Sequence, residues 1–334
     1  MTRLSVIIPG YNTLETQWRR CLDSVRVACG PNDEIICVDD GSSKHPEFLR
    51  DIANDDTRVK IIFLDVNVGQ AAARNKGIEV ASGEYIVFAD SDDTVLPDVY
   101  DSAVQIADMN SSDIVLFGVR TIWQKDGLYR ESIPRNATKA EALSTESLKE
   151  LTERQLFDVV CNKVYRKSFI DANRIRFPVG ICPGEDTMFA LSCICHRAKW
   201  SMLDKVGYAY CRLDGTSLSS YKPNLINTLQ YWKREWDLYL TTVGKGYDGW
   251  WPTMNYSEKW VVLQQWDNIW MKGSDVSLLG RWRYLIANKH YFDSCVCSEF
   301  LTKLLQSFIR QNLYFRPIRR WRIKRIFADV KELK

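Results

Sequence analysis

Asp90–Ser91–Asp92, with Asp93 directly after it, follows the apolar run Tyr85–Ala89. Hard divalent cations such as Mg2+ and Mn2+ take oxygen ligands, usually one or two carboxylates completed by diphosphate oxygens and water. A cation held there would act as a Lewis acid on the charge that grows on a departing diphosphate. A second acidic group, Gly184–Glu185–Asp186, precedes the apolar helical run Thr187–Cys195. Acidic residues in a first helical turn favour the helix dipole in any protein. The sharper reading is a general base whose pKa is raised by burial or by the neighbouring carboxylate. Arg74 near a helix start adds positive charge where anions are already favoured. Tyr210–Cys211–Arg212, followed by Thr216–Ser217–Leu218–Ser219, reads as a strand and a hydroxyl-rich loop. Arg212 there is either a phosphate ligand or a surface arginine beside a turn. Other chemistries fit less well: His45, His196 and His290 are scattered, and neither G-x-x-x-x-G-K-[ST] nor a G-x-G-x-x-G after the first strand occurs.

These groups need a scaffold that brings them to one place. Leu4–Ile8, Glu34–Val38, Val59–Leu64, Tyr85–Ala89 and Asp113–Gly118 are short apolar runs of the kind buried strands show. Between them Leu14, Cys21, Leu22 and Val25 share a helical face, and Ala71–Val80 and Pro97–Ala107 read as helices, the latter with proline in its first turn. The alternation predicts an α/β fold with a mostly parallel sheet, helices on both faces and ligands beyond the carboxyl ends of the strands. The polar clusters Pro9–Gly10–Tyr11–Asn12, Asp39–Asp40–Gly41–Ser42, Asn67–Val68–Gly69 and Asp90–Asp93 follow the first four strands in turn. Any one of them could be turn chemistry. Four in succession point to a site.

The 334 residues exceed one ordinary domain, and 45 basic against 42 acidic residues leave a net charge of +3 that argues against nucleic acid as the main partner. No apolar stretch is long enough to span a membrane or form a signal-peptide core, so a cytoplasmic protein with reduced thiols is expected. From Asn224 onward the pattern turns helical and rich in tryptophan. We expect a catalytic domain over 1–220 and a helical appendage over 221–334. At the end of the chain basic residues between Lys303 and Arg325 interleave with Leu313, Tyr314, Phe315, Ile318 and Trp321. That mixture suits a peripheral position on an anionic membrane surface, or a basic helix packed on the protein.

Taken in order, Ser5–Asn12, Val38–Ser42, Asn67–Gly69 with Ala73–Arg74–Asn75, Asp90–Asp93, Cys161–Asn162–Lys163–Val164–Tyr165, Gly184–Glu185–Asp186 and Arg212 with Ser217 and Ser219 resemble the family 2 inverting glycosyltransferases of the GT-A fold. The resemblance covers about two thirds of the chain. It implies transfer of a sugar from a nucleotide diphosphate sugar, commonly a UDP-sugar, to a hydroxyl of a glycan or lipid-linked glycan acceptor, with Mn2+ or Mg2+ as cofactor. It implies that Pro9, Tyr11 and Asp39 hold the base, with Arg74 near the nucleotide, Asp90 facing ribose or metal, and Asp92 on the metal. Asp186 would be the base that deprotonates the acceptor. Asn12, Ser91, Lys163 and Arg212 complete the set expected at the nucleotide sugar. Gly10 departs from the larger residue usual in the family, at a position expected to contribute mainly backbone. Two alternatives from other classes are a sugar nucleotidyltransferase, which should show a glycine-rich nucleotide loop, and a non-catalytic nucleotide-sugar binder, which has no need of Asp186.

Overall fold

A computed structural model describes residues 3–43, 46–123, 127–134, 140–180 and 184–212, together with 225–226, 230, 265, 268–270 and 274–288. The chain divides into two compact units, the first of which contains everything described up to residue 212. The expected boundary at 220 lies outside the described residues.

In the first unit, β1 (Leu4–Gly10), β2 (Glu34–Asp39), β3 (Val59–Phe63) and β4 (Tyr85–Phe88) are strands. They lie side by side as β3-β2-β1-β4, all parallel, with Gly10 opposite Asp39 and Ile7 opposite Phe88. Both β1 and β2 are buried along their whole length, which is why they read as continuous apolar runs. The intervening helices are α1 (Glu15–Ala28), α2 (Phe48–Asp55) and α3 (Gln70–Val80). In α1 the buried face is Trp18, Cys21, Leu22 and Val25. Leu14, expected on that face, is instead the N-cap residue and 65% exposed. Trp18 takes its place, one turn farther in.

Beyond β4 the sheet becomes mixed. The short strand β5 (Thr94–Val95) leads to α4 (Val99–Asn110), β6 (Ile114–Trp123), β7 (Tyr129–Ser132) and α5 (Thr145–Glu153). Then come β8 (Lys163–Arg166), α6 (Lys167–Ala172), α7 (Glu185–Cys195) and β9 (Trp200–Arg212). Pro97 precedes α4 rather than opening it, because Asp98 occupies the cap with φ +60°. Strand β8 inserts antiparallel between β4 and β6, while β6 runs parallel to β9. The change of direction next to β4 falls where open α/β sheets bind ligands, beyond the carboxyl ends of the central strands.

The second unit's described helix is α8 (Leu278–Ala287). In the same unit Trp270 is buried with the Arg281 guanidinium over its ring, as a core tryptophan would be. The other tryptophans between 232 and 266 and the basic segment 303–325 lie outside the described residues. Among the described residues no helix is long and apolar enough to cross a membrane.

Candidate active site

Parallel pairing brings the ends of β1, β2 and β4 to one edge. At β1, Pro9 is buried within the strand and Tyr11 projects half-exposed beyond it. Asn12 takes a left-handed backbone (φ +50°) that asparagine tolerates. Its Oδ1 accepts from the Ser43 N–H and hydroxyl, and its own N–H donates to Ser42 Oγ at 2.8 Å. Asp39, fully buried, accepts from the N–H and hydroxyl of the same Ser42. Asn12 and Asp39 are thus two ends of one network that ties the first two strand exits together.

The absent side chain of Gly10 is explained by Trp18: a Cβ there would lie 2.2 Å from the indole Cζ2 and 3.1 Å from Ser91 Oγ. The indole occupies the volume a larger residue would use. Gly10→Ala is therefore expected to lower stability by about 1–3 kcal/mol, the usual cost of overpacking. Thermal unfolding checks this, and an unchanged melting temperature would contradict the packing of Trp18.

Asp40, unassigned by sequence reasoning, has a structural task. Its carboxylate accepts from Asn67 Nδ2 (3.0 Å), Val68 N (2.8 Å) and Gly69 N (2.9 Å), which fixes the loop entering α3. Gly41 (φ +65°) lets that loop pass, since a Cβ would meet the Val66 carbonyl carbon at 2.3 Å. Asp93 works similarly: it accepts from Tyr208 Oη and from Cys211 N, both at 2.7 Å, and so joins the end of β4 to the end of β9. Tyr208 Oη in turn accepts from Asp90 N at 3.0 Å. The expected ligand Arg212 is the last residue of β9, next to that anchored Cys211; its side chain lies outside the description. The hydroxyl-rich loop after it also lies outside the described residues.

The centre of the edge is Arg74 on α3, only 1% exposed. Its guanidinium donates to Asp90 Oδ1 at 2.8 Å and to Asp186 Oδ1 at 2.5 Å, and lies 3.7 Å from Glu185 Oε1. Burial alone would lower its pKa, but Asp186 and Asp90 outweigh that and hold it charged. Asp186 opens α7, beside Glu185. Burial raises the Asp186 carboxyl to about 7, against the pull of Arg74 and with help from Glu185 and Asp90. A carboxyl poised there can take a proton at neutral pH. Its side chain remains 27% exposed.

Asp90 also accepts from Gln70 Nε2, and Ser91 Oγ pairs with Thr13 Oγ1 at 2.8 Å. Asp92 is half-buried; burial and then Asp90 push its pKa up. Its carboxylate has no hydrogen-bond donor from another of the described residues. No set of three or more His, Cys, Asp or Glu side chains among the described residues could enclose a metal. One free carboxylate with acidic neighbours fits a cation that draws its remaining ligands from a diphosphate and water.

Lys163, expected at the nucleotide sugar, lies behind the site rather than at its open edge. It is fully buried on β8, and its ammonium donates to the carbonyls of Leu156, Phe157 and Val159 and to Asn162 Oδ1. Burial lowers its pKa to about 7 against the opposing pull of Asp158 and Asp186. Its donors are engaged by the 156–162 turn, which it therefore shapes.

The fold, with acidic strand ends gathered around a buried arginine and a poised carboxyl, defines a GT-A-type glycosyltransferase. Residues 5–173 match the model of glycosyl transferase family 2, and the chain belongs to that family. It is 33% identical over 236 residues to EpsJ of Bacillus subtilis, an uncharacterized glycosyltransferase, covering 68% of this chain and 66% of that one. It is 30% identical over 227 residues to the poly(ribitol-phosphate) beta-glucosyltransferase of Bacillus spizizenii, covering 66% of this chain and 34% of the relative. The chain therefore spans less than two thirds of these relatives. In fold it is similar to residues 1–349 of Staphylococcus aureus TarS in complex with UDP-GlcNAc, with TM-score 0.59, 18% identity and coverage of 92% of this chain and 80% of that one.

Proposed function

We propose that this enzyme transfers a sugar from a UDP-sugar to a hydroxyl of a glycan or lipid-linked glycan in one inverting displacement, as a step in bacterial surface polysaccharide assembly. The observation that carries the mechanism is Asp186: a carboxyl raised to about 7, partly open, and joined through Arg74 to Asp90 at the donor edge. The acceptor oxygen forms a bond to the anomeric carbon while the bond from that carbon to the diphosphate oxygen breaks with its electron pair. The acceptor's proton goes to the Asp186 carboxylate. An α-linked donor then gives a β-linked product. A divalent cation at Asp92, its shell completed by diphosphate oxygens, would stabilise the charge on the leaving group. A relative named for transfer to poly(ribitol-phosphate) supports a polymer rich in hydroxyls as acceptor, and a fold neighbour in complex with UDP-GlcNAc supports the uridine nucleotide.

A panel of nucleotide diphosphate sugars, scored by released nucleotide diphosphate with and without Mn2+, tests this reading. Release of UDP from one UDP-sugar is expected, and release confined to non-uridine donors would contradict it. Asp92→Ala is expected to abolish the gain in UDP affinity that Mn2+ gives the wild type in calorimetry. An unchanged metal effect in the variant would remove Asp92 from the cation. The proposal extends to peripheral placement on the cytoplasmic face of the membrane through the basic segment after Asn312. Equal sedimentation with anionic vesicles of the full chain and of one truncated after Asn312 would reject that extension.

A further inference from the structure

Asn75 stands beside Arg74 in α3 but takes no part in the chemistry assigned above. Asparagine is a poor helix former, and this one sits in the middle of the helix. Its carboxamide is wholly committed to a residue far along the chain. Nδ2 donates to the Phe177 carbonyl at 2.8 Å, and Oδ1 accepts from the Phe177 N–H at 2.8 Å. Two reciprocal bonds fix both the backbone of Phe177 and the plane of the amide.

The ring of Phe177 is buried where the site's supports meet. It stacks on Phe189 with centroids 4.1 Å apart and planes 11° apart. It meets Phe88 edge-on at 5.1 Å, and the Arg74 guanidinium carbon lies 5.2 Å from its centroid. Phe189 is one turn beyond Asp186 on α7, and positions three apart share a helix face. Phe88 ends the strand that leads to Asp90. One ring thus touches the helix that carries Asp186, the strand that leads to Asp90 and the guanidinium that links them.

We propose that Asn75 is a positioning residue for the general base: by locking Phe177 it sets the Phe177–Phe189 stack, and with it the place of Asp186 against Arg74. This rests on the assignment of Asp186 as base. Misplacing a catalytic group by about 1 Å costs on the order of 100-fold in rate, so the lock is expected to show in kcat rather than in donor affinity.

The test uses the full chain, with UDP release from UDP-GlcNAc and UDP-glucose in Mn2+, UDP affinity by calorimetry, and hydrogen exchange across 184–195. Asn75→Ala is expected to lower kcat by about 10- to 100-fold, with donor KM and UDP affinity within about threefold of wild type, and to speed exchange of the first α7 amides while β1 and β2 stay protected. In an Asp186→Asn background the same change is expected to cost less than about threefold, because residues acting as a unit are not additive. Undiminished multiplication of the two losses, wild-type kcat in Asn75→Ala, or unchanged exchange over α7 would overturn the positioning role. Near-normal turnover by Asp186→Asn alone would instead sink the base assignment, and the inference with it. If Asn75→Ala is poorly folded, Asn75→Ser is read against the same outcomes.

Discussion

Asp186→Asn is expected to lower kcat by about 10³-fold, within the 10²–10⁴ range that a positioned general base contributes. UDP affinity should remain within a few-fold, because the amide keeps the shape and still offers an oxygen to Arg74. In the wild type the base must be ionised, so activity should rise with pH through about 7 and fall away below it. The folded chain binds this proton more tightly than the unfolded one. The stability that the Asp186 proton contributes is therefore full below the ordinary carboxylate range and lost as pH rises through about 7. Holding an ionised carboxylate there at pH 8 is a cost that Asn does not carry, so the variant should melt no lower than the wild type at that pH. A well-folded variant with near-normal turnover would take Asp186 out of the mechanism.

Arg74→Met should have the second large effect, on stability as well as on rate. The guanidinium is buried against Asp90, Glu185 and Asp186, and those carboxylates would be left facing one another. Removing one partner from a buried charge cluster costs about 3–5 kcal/mol. The lower end applies here, because Asp90 and Asp186 keep about a quarter of their side-chain surface in water. With the opposing charge gone the Asp186 carboxyl should rise further, moving the acid limb of the pH–rate profile upward. Arg74→Lys should recover part of the stability, since a single ammonium lacks the fork that spans two carboxylates. Unfolding by denaturant and the pH–rate profile report both effects. A variant as stable as wild type with an unmoved acid limb would show that Arg74 does not hold the base.

How much of this was legible in the sequence depended on how local the signal was. Strands β1, β2 and β4 were legible because each is an apolar run buried on both faces, and the half-buried β3 because its run is still mostly apolar. The polar clusters at their ends were legible because parallel pairing leaves one end of every strand on one edge. Strand β8 was not, because four residues carry no periodicity and their pairing is set by β4 and β6. The full length of β6 was hidden for a related reason: Val119–Ile122 pair with the neighbouring β7 and with β9, which lies far along the chain. Lys163 entered the expected set through the family resemblance alone, and only the fold shows that its buried ammonium answers nearby carbonyls. Asp40 and Asp93 read as parts of acidic runs, yet each holds a distant backbone in place. The bond between Arg74 and Asp186 joins residues 112 positions apart, beyond any spacing rule.

The most direct test of single inverting displacement is the anomeric configuration of the sugar released or transferred from α-linked UDP-GlcNAc or UDP-glucose, read by proton NMR before mutarotation. A β-configured product is predicted, from attack opposite the departing diphosphate with the proton passed to Asp186. An α-configured product would contradict the mechanism.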